Sequence, residues 1–519
     1  MDNNTQTNIP AIPVEKFSFV SRQNNLRDKQ FEGKPRTYMQ DAFSRFCKNK
    51  GAIVGAAVIV VLFLYACFGA LLTPYTVRYN DTYFVSTLPK CSWFAKTSFW
   101  DGCQTEIQDS ALFHYYYYMG EETGHYAIKN QKYSKADTMY KVRIDSYHKR
   151  GCIYKSIEKE EYALLQKYQN ECGRQVIYPI VAKKDRPDAR YAGADTVANY
   201  YYKTQVKFGA LQIVYDNNGN IIPVYKTHKI GENSLDNYSS IRIDGDRENG
   251  VEYEYAIPND TGYQVRVNYY EYYVFMHNYV LKDGIEKPSF LFGTTQYGQD
   301  IFTCMASGAL FSFAFAISVS AVNLIVGAIY GAVEGYYGGK LDLFMERFAD
   351  ILSAIPTVIV ISLLRFHFGG AGAIVILFVA FFATGWIGMA AATRMQFYRF
   401  KKQEYVLAAR TLGAKDGRII WKHIFPNALG TLVTKCALII PSMIYSEVNL
   451  SYLGIISLTS GSLTSVGTLL SNGQALLKMG VPHIAAFPSV FLALLLLCFN
   501  LFGNGLRDAF NPSMRGAEE

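Results

Sequence analysis

Ionisable side chains are scarce in the apolar half of this chain, so the few that occur there are the first candidates for chemistry. Glu334 lies near the end of one apolar run. Glu346, Arg347 and Asp350 lie at the start of the next, and Glu447 near the outer end of another. A carboxylate in a membrane segment is a proton- or ion-handling candidate by default. These groups sit near segment ends, whereas a proton-coupled carrier is expected to place one deep. Glu447 is a candidate outer gate, with simple access to water as the plainer alternative. A second stretch, Glu404–Asn427 (EYVLAARTLGAKDGRIIWKHIFPN), is basic, amphipathic and helix-forming, with a break at Gly413 and a Pro426-Asn427 stop. It is too polar for lipid and too patterned for a slack loop, and it reads as a docking element. Catalytic signatures are absent: there is no G-x-x-x-x-G-K-[ST], H-E-x-x-H or C-x-x-C, and no G-x-G-x-x-G after a strand. The chain reads as a non-enzyme without a metal or cofactor of its own. His114 and His125 show no ligand spacing, and nothing points to nucleic acid.

The elements that hold these residues are membrane helices. Residues 51–72 run for 22 positions without a charge. At a rise of about 1.5 Å per residue that length crosses a bilayer. The run starts too far from position 1 for a cleaved signal peptide and reads as a retained span. Five further spans are expected near 307–335, 343–364, 371–393, 428–450 and 484–505. The run at 307–335 is rich in Ala, Gly and Ser, which suits close helix packing. The 343–364 run carries its charges at the start and Pro356 in its middle. Residues 1–50 hold nine Lys/Arg against five Asp/Glu, and 394–422 hold eight against Glu404 and Asp416. Six spans put both stretches on one side, and the positive bias makes that side cytoplasmic. The expected fold class is an all-α polytopic membrane protein of six transmembrane helices with an inserted extracellular α+β domain. Its parts are a cytoplasmic tail (1–50), a first helix (51–73), the insert (74–290), a core of five helices (291–512) with a cytoplasmic loop at 394–427, and a cytoplasmic tail (513–519). The Asn/Gln/Pro-rich start of residues 1–36 reads as unordered.

The insert contains 27 basic and 27 acidic residues and 30 of the 40 tyrosines. Tyrosine-rich surfaces bind peptides or sugars, but tyrosine also serves plainly as a strand and core former. Ile157–Cys172 reads as a helix stopped by Gly173. Gly209–Tyr215 and Asn220–Lys226, joined by Asp216-Asn217-Asn218-Gly219, read as a hairpin. Val251–Tyr255 and Tyr263–Phe275 read as strands. Cys91, Cys103, Cys152 and Cys172 all fall on the expected oxidising side and permit two disulfides. Three pairings are possible. Cys91–Cys103 with Cys152–Cys172 closes the shortest loops, and four unlinked thiols is the alternative.

From Phe292 onward a set of motifs occurs in order. Leu291-Phe292-Gly293-Thr294-Thr295-Gln296-Tyr297-Gly298-Gln299-Asp300 precedes the second span. Gly331-Ala332-Val333-Glu334-Gly335-Tyr336-Tyr337-Gly338-Gly339-Lys340-Leu341-Asp342 follows it. Then come Met345–Asp350 with Ala354-Ile355-Pro356, the 404–427 stretch, Ser451-Tyr452-Leu453-Gly454, and Asn500–Asp508 before Asn511-Pro512. Together they resemble the oligopeptide/dipeptide permease family of binding-protein-dependent ABC importers, in its OppC/DppC-type subunit. The resemblance implies a type I importer permease core and a cytoplasmic coupling loop seated in an ATPase cleft. By position, Glu404, Ala408, Ala409, Arg410, Gly413, Arg418, Pro426 and Asn427 carry that coupling role. Leu407, His423 and Phe425 depart from the family's general pattern, and Gln299 stands where Arg is usual. The implied partners are a second similar permease, two ATPases that bind ATP and Mg, an extracellular substrate-binding lipoprotein and the bilayer. The implied cargo is peptide, with nickel or another small solute as an alternative. An insert of 74–290 is not part of the usual subunit. Rival readings are a membrane-anchored receptor or adhesion protein, and an ion-coupled carrier that works without ATP.

Overall fold

The computed structural model describes residues 38–94, 97–129, 139–180, 204–207, 210–219, 247–248, 251–252, 255–369, 372–456 and 464–510. The first described elements are an amphipathic helix, α1 (Tyr38–Lys48), and the apolar α2 (Lys50–Phe68). Asn49 separates them and caps α2, its side chain accepting from the Ala52 amide at 3.1 Å.

The insert is mixed α and β. Strands β1 (Cys103–Asp109) and β2 (Met139–Asp145) pair antiparallel, with α3 (Ser110–Thr123) between them in sequence. A second sheet joins β3 (Cys152–Glu158), β4 (Ile177–Tyr178), β9 (Ala256–Pro258) and β10 (Gly262–Asn268), all three others pairing antiparallel with β10. Helix α4 (Lys159–Cys172) follows β3 and ends at Gly173 in the left-handed region. Two small pairs complete it: β5 (Thr204–Lys207) with β6 (Ala210–Ile213), and β7 (Arg247–Glu248) with β8 (Val251–Glu252). Helix α5 (Tyr269–Phe275) then leads through a π-helical turn, Met276–Leu281, towards the membrane bundle. The insert's core is built from tyrosines, aliphatics and Phe113, Phe275 and Phe290. Inside it Arg266 makes a bidentate pair with Glu122, at 2.7 and 2.8 Å, both side chains fully buried.

The bundle comprises α6 (Ile301–Tyr337), α7 (Gly339–Ser353), α8 (Thr357–His367), α9 (Ala373–Thr384), α10 (Ile387–Phe400), α11 (Glu404–Thr411), α12 (Asp416–Arg418), α13 (Phe425–Tyr452), α14 (Val466–Leu476) and α15 (His483–Phe510). Among the described residues five continuous stretches are long and apolar enough to cross a membrane: Lys50–Leu71, Ile301–Tyr337, Ala373–Phe400, Asp416–Tyr452 and His483–Phe510. A sixth exists only if the pair α7 and α8, bent by 71°, counts as one span. Helix α6 packs against α10 through Gly327, Gly331 and Gly335. A Cβ on these would meet Met389 Cβ at 2.7 Å, the Ala390 carbonyl at 2.1 Å and Phe397 Cβ at 2.7 Å, so only glycine allows this approach.

Several expectations need correction. The 343–364 span is broken at Pro356, which sits extended (φ −59°, ψ 129°) because proline lacks an N–H and pushes Ile355 out of helical geometry. Pro426 and Asn427 do not stop a helix. The π-helical stretch Ile419–Ile424 passes directly into α13 through them, and the helix runs on to Tyr452. In the insert, residues 152–158 are a strand, so the expected helix begins only at Lys159. The expected strand 263–275 turns helical after Asn268, whose side chain accepts from the Glu271 amide as an N-cap. Strand β6 pairs with the segment before it. The turn at Asp216–Gly219 does form, with the Gly219 amide donating to the Asp216 carbonyl at 3.0 Å. Asn220–Lys226 lies outside the described residues. The expected disulfides are not formed. Cys91, Cys103 and Cys172 are free thiols, and Cys172 is exposed at the end of α4 while Cys152 is buried beside Tyr154 and Tyr178.

Candidate coupling site and the buried carboxylates

Helix α11 is short and amphipathic. It closes through Leu412 into Gly413, whose φ of +83° lies in the left-handed region that glycine adopts without strain. The Gly413 amide donates to Arg410 O and the Ala414 amide to Ala409 O, each at 3.0 Å. No atom lies within 4 Å of where a Gly413 Cβ would stand, so the backbone angle and not crowding selects glycine. After the bend, α12 and a π-helical stretch, Ile419–Ile424, run without interruption into α13.

One face of this helix–Gly–helix unit is seated on the bundle. Val406, Ile419, Ile420 and Ile424 pack against Ala332 and Tyr336 of α6 and Phe397 of α10. Tyr336 Oη donates to Asp416 Oδ1 at 2.6 Å and accepts from Arg410 Nη2 at 3.2 Å. Asn427 Nδ2 donates to Tyr405 Oη at 3.2 Å and to His423 O at 2.8 Å. The structure thus brings together the sequence-derived residues Arg410 and Asn427 with neighbours that hold the unit in shape. Glu404, Ala408, Gly413, Arg418 and Pro426 are exposed, and Ala409 is half-buried.

The outer face carries residues that sequence reasoning had not singled out. Leu407 and Trp421 are about half exposed, and Leu412 is 88% exposed. Leu407, Leu412 and Trp421 are thus large apolar side chains left exposed on an otherwise polar unit. The signal was present: Leu407 and Leu412 fall off the apolar face set by Val406. Tyr336 was likewise quoted only as part of a motif.

The carboxylates separate into two groups. Glu447 is fully buried and accepts from Ser312 Oγ of α6 at 2.6 Å and Ser451 Oγ at 3.0 Å. It ties α13 to α6 instead of opening to water. Near the opposite end of α6, Arg394 of α10 gathers Asp342 at 2.7 Å, Glu346 at 2.8 Å and Glu334 at 3.4 Å. Arg347 pairs only with its exposed neighbour Asp350. In the insert, His125 Nε2 lies 3.0 Å from Glu271 Oε1 and its ring stacks on His148. Both histidines line a cleft of about 440 Å³ with Tyr126 and Lys129. Burial pushes the His148 imidazole down to about 3, against the opposing pull of Asp145. Among the described residues no cluster of His, Cys, Asp and Glu has the arrangement of a metal site.

The chain is similar to known transport proteins. Residues 323–516 match the family described as binding-protein-dependent transport system inner membrane component, and residues 37–89 match the N-terminal membrane domain of oligopeptide transport permease C. The oligopeptide transport system permease protein OppC of Bacillus subtilis is 39% identical over 224 residues, covering 43% of this chain and 72% of that protein. The dipeptide transport system permease protein DppC of the same organism is 37% identical over 225 residues, covering 43% and 69%. OppC of Haemophilus influenzae is 40% identical, covering 43% and 70%. Among solved structures, an inward-facing MetNI methionine ABC transporter chain aligns with 15% identity and a TM-score of 0.33, over 40% of this chain and 96% of that one. The chain belongs to the binding-protein-dependent ABC importer permeases, in the oligopeptide/dipeptide (OppC/DppC) branch of that family.

Proposed function

We propose that this protein is a transmembrane permease subunit of an ATP-driven importer of oligopeptides or dipeptides, and that residues 404–427 couple it to cytoplasmic ATPases. The observation that carries this reading is the helix–Gly–helix unit: fixed to the bundle on one face, and presenting Leu407, Leu412 and Trp421 on the other. The unit does not end in a flexible joint. It continues into α13, so the stretch Asp416–Tyr452 is one helical rod of 37 residues, about 55 Å long at the helical rise. A push on the exposed face moves that rod, and the Glu447–Ser312 contact passes the displacement to α6. ATP binding and cargo then bias two arrangements of the same bundle differently, which is alternating access.

The partners under this proposal are a second similar permease, two ATPases that carry ATP and Mg, and an extracellular substrate-binding lipoprotein. Residues 1–50 and 394–427 are cytoplasmic by their Lys/Arg excess, the C-terminus shares that side with α7 and α8 counted as one span, and 74–290 is extracellular. The chain does no chemistry itself. A mild-detergent pull-down of the tagged full chain, with an ATPase assay on the eluate, tests the proposal. A second permease and phosphate-loop ATPases are expected, with activity lost in Gly413→Val at unchanged membrane insertion. A chain that elutes alone and inactive, under conditions that preserve other membrane complexes, refutes it.

A further inference from the structure

Residues 91–94 and 97–100 flank the base of a loop with an unusual surface. It is tied at its base by the Lys90–Asp101 bridge and by the Cys91 amide donating to Trp100 O at 3.0 Å. Inside, the Phe94 amide donates to Cys91 O and Thr97 Oγ1 donates to Phe94 O. This bonding leaves Trp93 89% exposed, and Phe94 and Phe99 about half exposed. Large aromatics are rarely left in water on a rigid scaffold without a partner.

Position identifies the partner. Trp100 Nε1 donates to Leu291 O at 2.9 Å, and both Phe99 and Trp100 lie against Phe487 of α15, with ring centroids 6.0 and 6.4 Å away. Phe487 continues a stripe on α15 formed by Val490, Leu494, Leu497 and Leu501, all exposed. In a membrane helix an exposed apolar stripe faces lipid. Helix α15 has 28 residues, so it is about 42 Å long and overshoots a hydrocarbon layer of about 30 Å by roughly 6 Å at each end. Phe487 stands four residues from the start of α15, about 6 Å along its axis, which is the level of the interface. Leu71, 78% exposed, and Leu72 close the nearby end of the first span. Trp is enriched at that level because its ring suits one wet and one apolar side.

We infer that the 91–100 loop is an interfacial anchor: Trp93, Phe94 and Phe99 insert into the headgroup region of the bilayer and hold the insert against the membrane beside α15. This rests on the chain spanning a membrane and is independent of what it transports. The test uses the full chain in nanodiscs of phosphatidylcholine or its dibrominated form, unaltered and as Trp93→Phe, reading tryptophan fluorescence. Trp93 is exposed and makes no packing contact that folding needs, so the variant remains intact. The expected result is a bromine-quenchable component that is present in the unaltered protein and lost in Trp93→Phe. Equal bromine quenching of the two, with the Trp93 component quenched instead by aqueous iodide, overturns the anchor. Iodide quenching that disappears only when a substrate-binding protein is added also overturns it, and assigns the aromatics to a protein contact.

Discussion

The membrane bundle and the insert bury their backbones and polar groups by opposite means. In the bundle, close approach is set by missing side chains. Gly327, Gly331 and Gly335 let α6 touch the backbone of α10, and Gly55 and Gly505 do the same between α2 and α15. Lipid exerts no hydrophobic force between helices, so contact area and backbone proximity carry the packing. In the insert, water supplies that force, and the chain fills its core with large tyrosines and one fully buried Arg266–Glu122 pair. The bundle therefore tolerates added volume poorly at its glycines. The insert tolerates loss of charge balance poorly at its core. The helix–Gly–helix unit at 404–427 combines the two: its inner face packs Val406, Ile419, Ile420 and Ile424 against the bundle, and Tyr336 bonds it through Asp416 and Arg410.

The comparison can be broken at its strongest point first. Arg266→Met leaves Glu122 buried without its partner guanidinium, and removal of one member of a buried pair costs about 3–5 kcal/mol. The insert should unfold at lower denaturant while the bundle's helical signal persists, which limited proteolysis and circular dichroism read together. A Gly331→Leu change forces volume against the Ala390 carbonyl and is expected to cost about 1–3 kcal/mol. It should lower the bundle's thermal midpoint and leave insert proteolysis unchanged. If both variants destabilise both regions equally, the two halves share one packing regime and the distinction fails.

A smaller, pH-dependent effect sharpens it. The folded His148 lies well below an unfolded histidine near 6.5. The folded state binds fewer protons in that window, so His148 favours folding fully above pH 6.5 and progressively less as pH falls towards 3. Between pH 7 and pH 5 the insert's midpoint should fall by about 4–8 °C, and His148→Gln should flatten that dependence. An unchanged slope would mean that other groups set it.

Much of the bundle was legible because apolar length and Lys/Arg bias act locally. The spans expected near 307–335, 428–450 and 484–505 fall within apolar helices of the structure, and those near 51–72 and 371–393 overlap Lys50–Leu71 and Ala373–Phe400. The failures came from proline, whose effect depends on position: Pro356 breaks a run that composition alone joined, whereas Pro426 lies within a helix that it was expected to end. In the insert, strand and helix exchange at Glu158 and again at Asn268, points that short Tyr-rich runs do not mark by period. In the 404–427 stretch the break at Gly413 was readable from residue type, and the structure has Gly413 at a φ of +83°, whereas Ala408 and Ala409 were named only through the family resemblance. The roles of Tyr336 and Leu412 needed the fold, because one reaches the unit from α6 and the other is defined by exposure. The same holds for Glu447, whose partner Ser312 is 135 residues away.

Capture of ATPase by the coupling unit tests the central claim most directly. Leu412→Asp changes an 88% exposed side chain and should leave folding and insertion intact. We expect it to abolish co-purification of the ATPases and cargo-stimulated ATP hydrolysis, while the second permease is retained. Undiminished ATPase capture and hydrolysis in Leu412→Asp and in Gly413→Val alike would contradict the account.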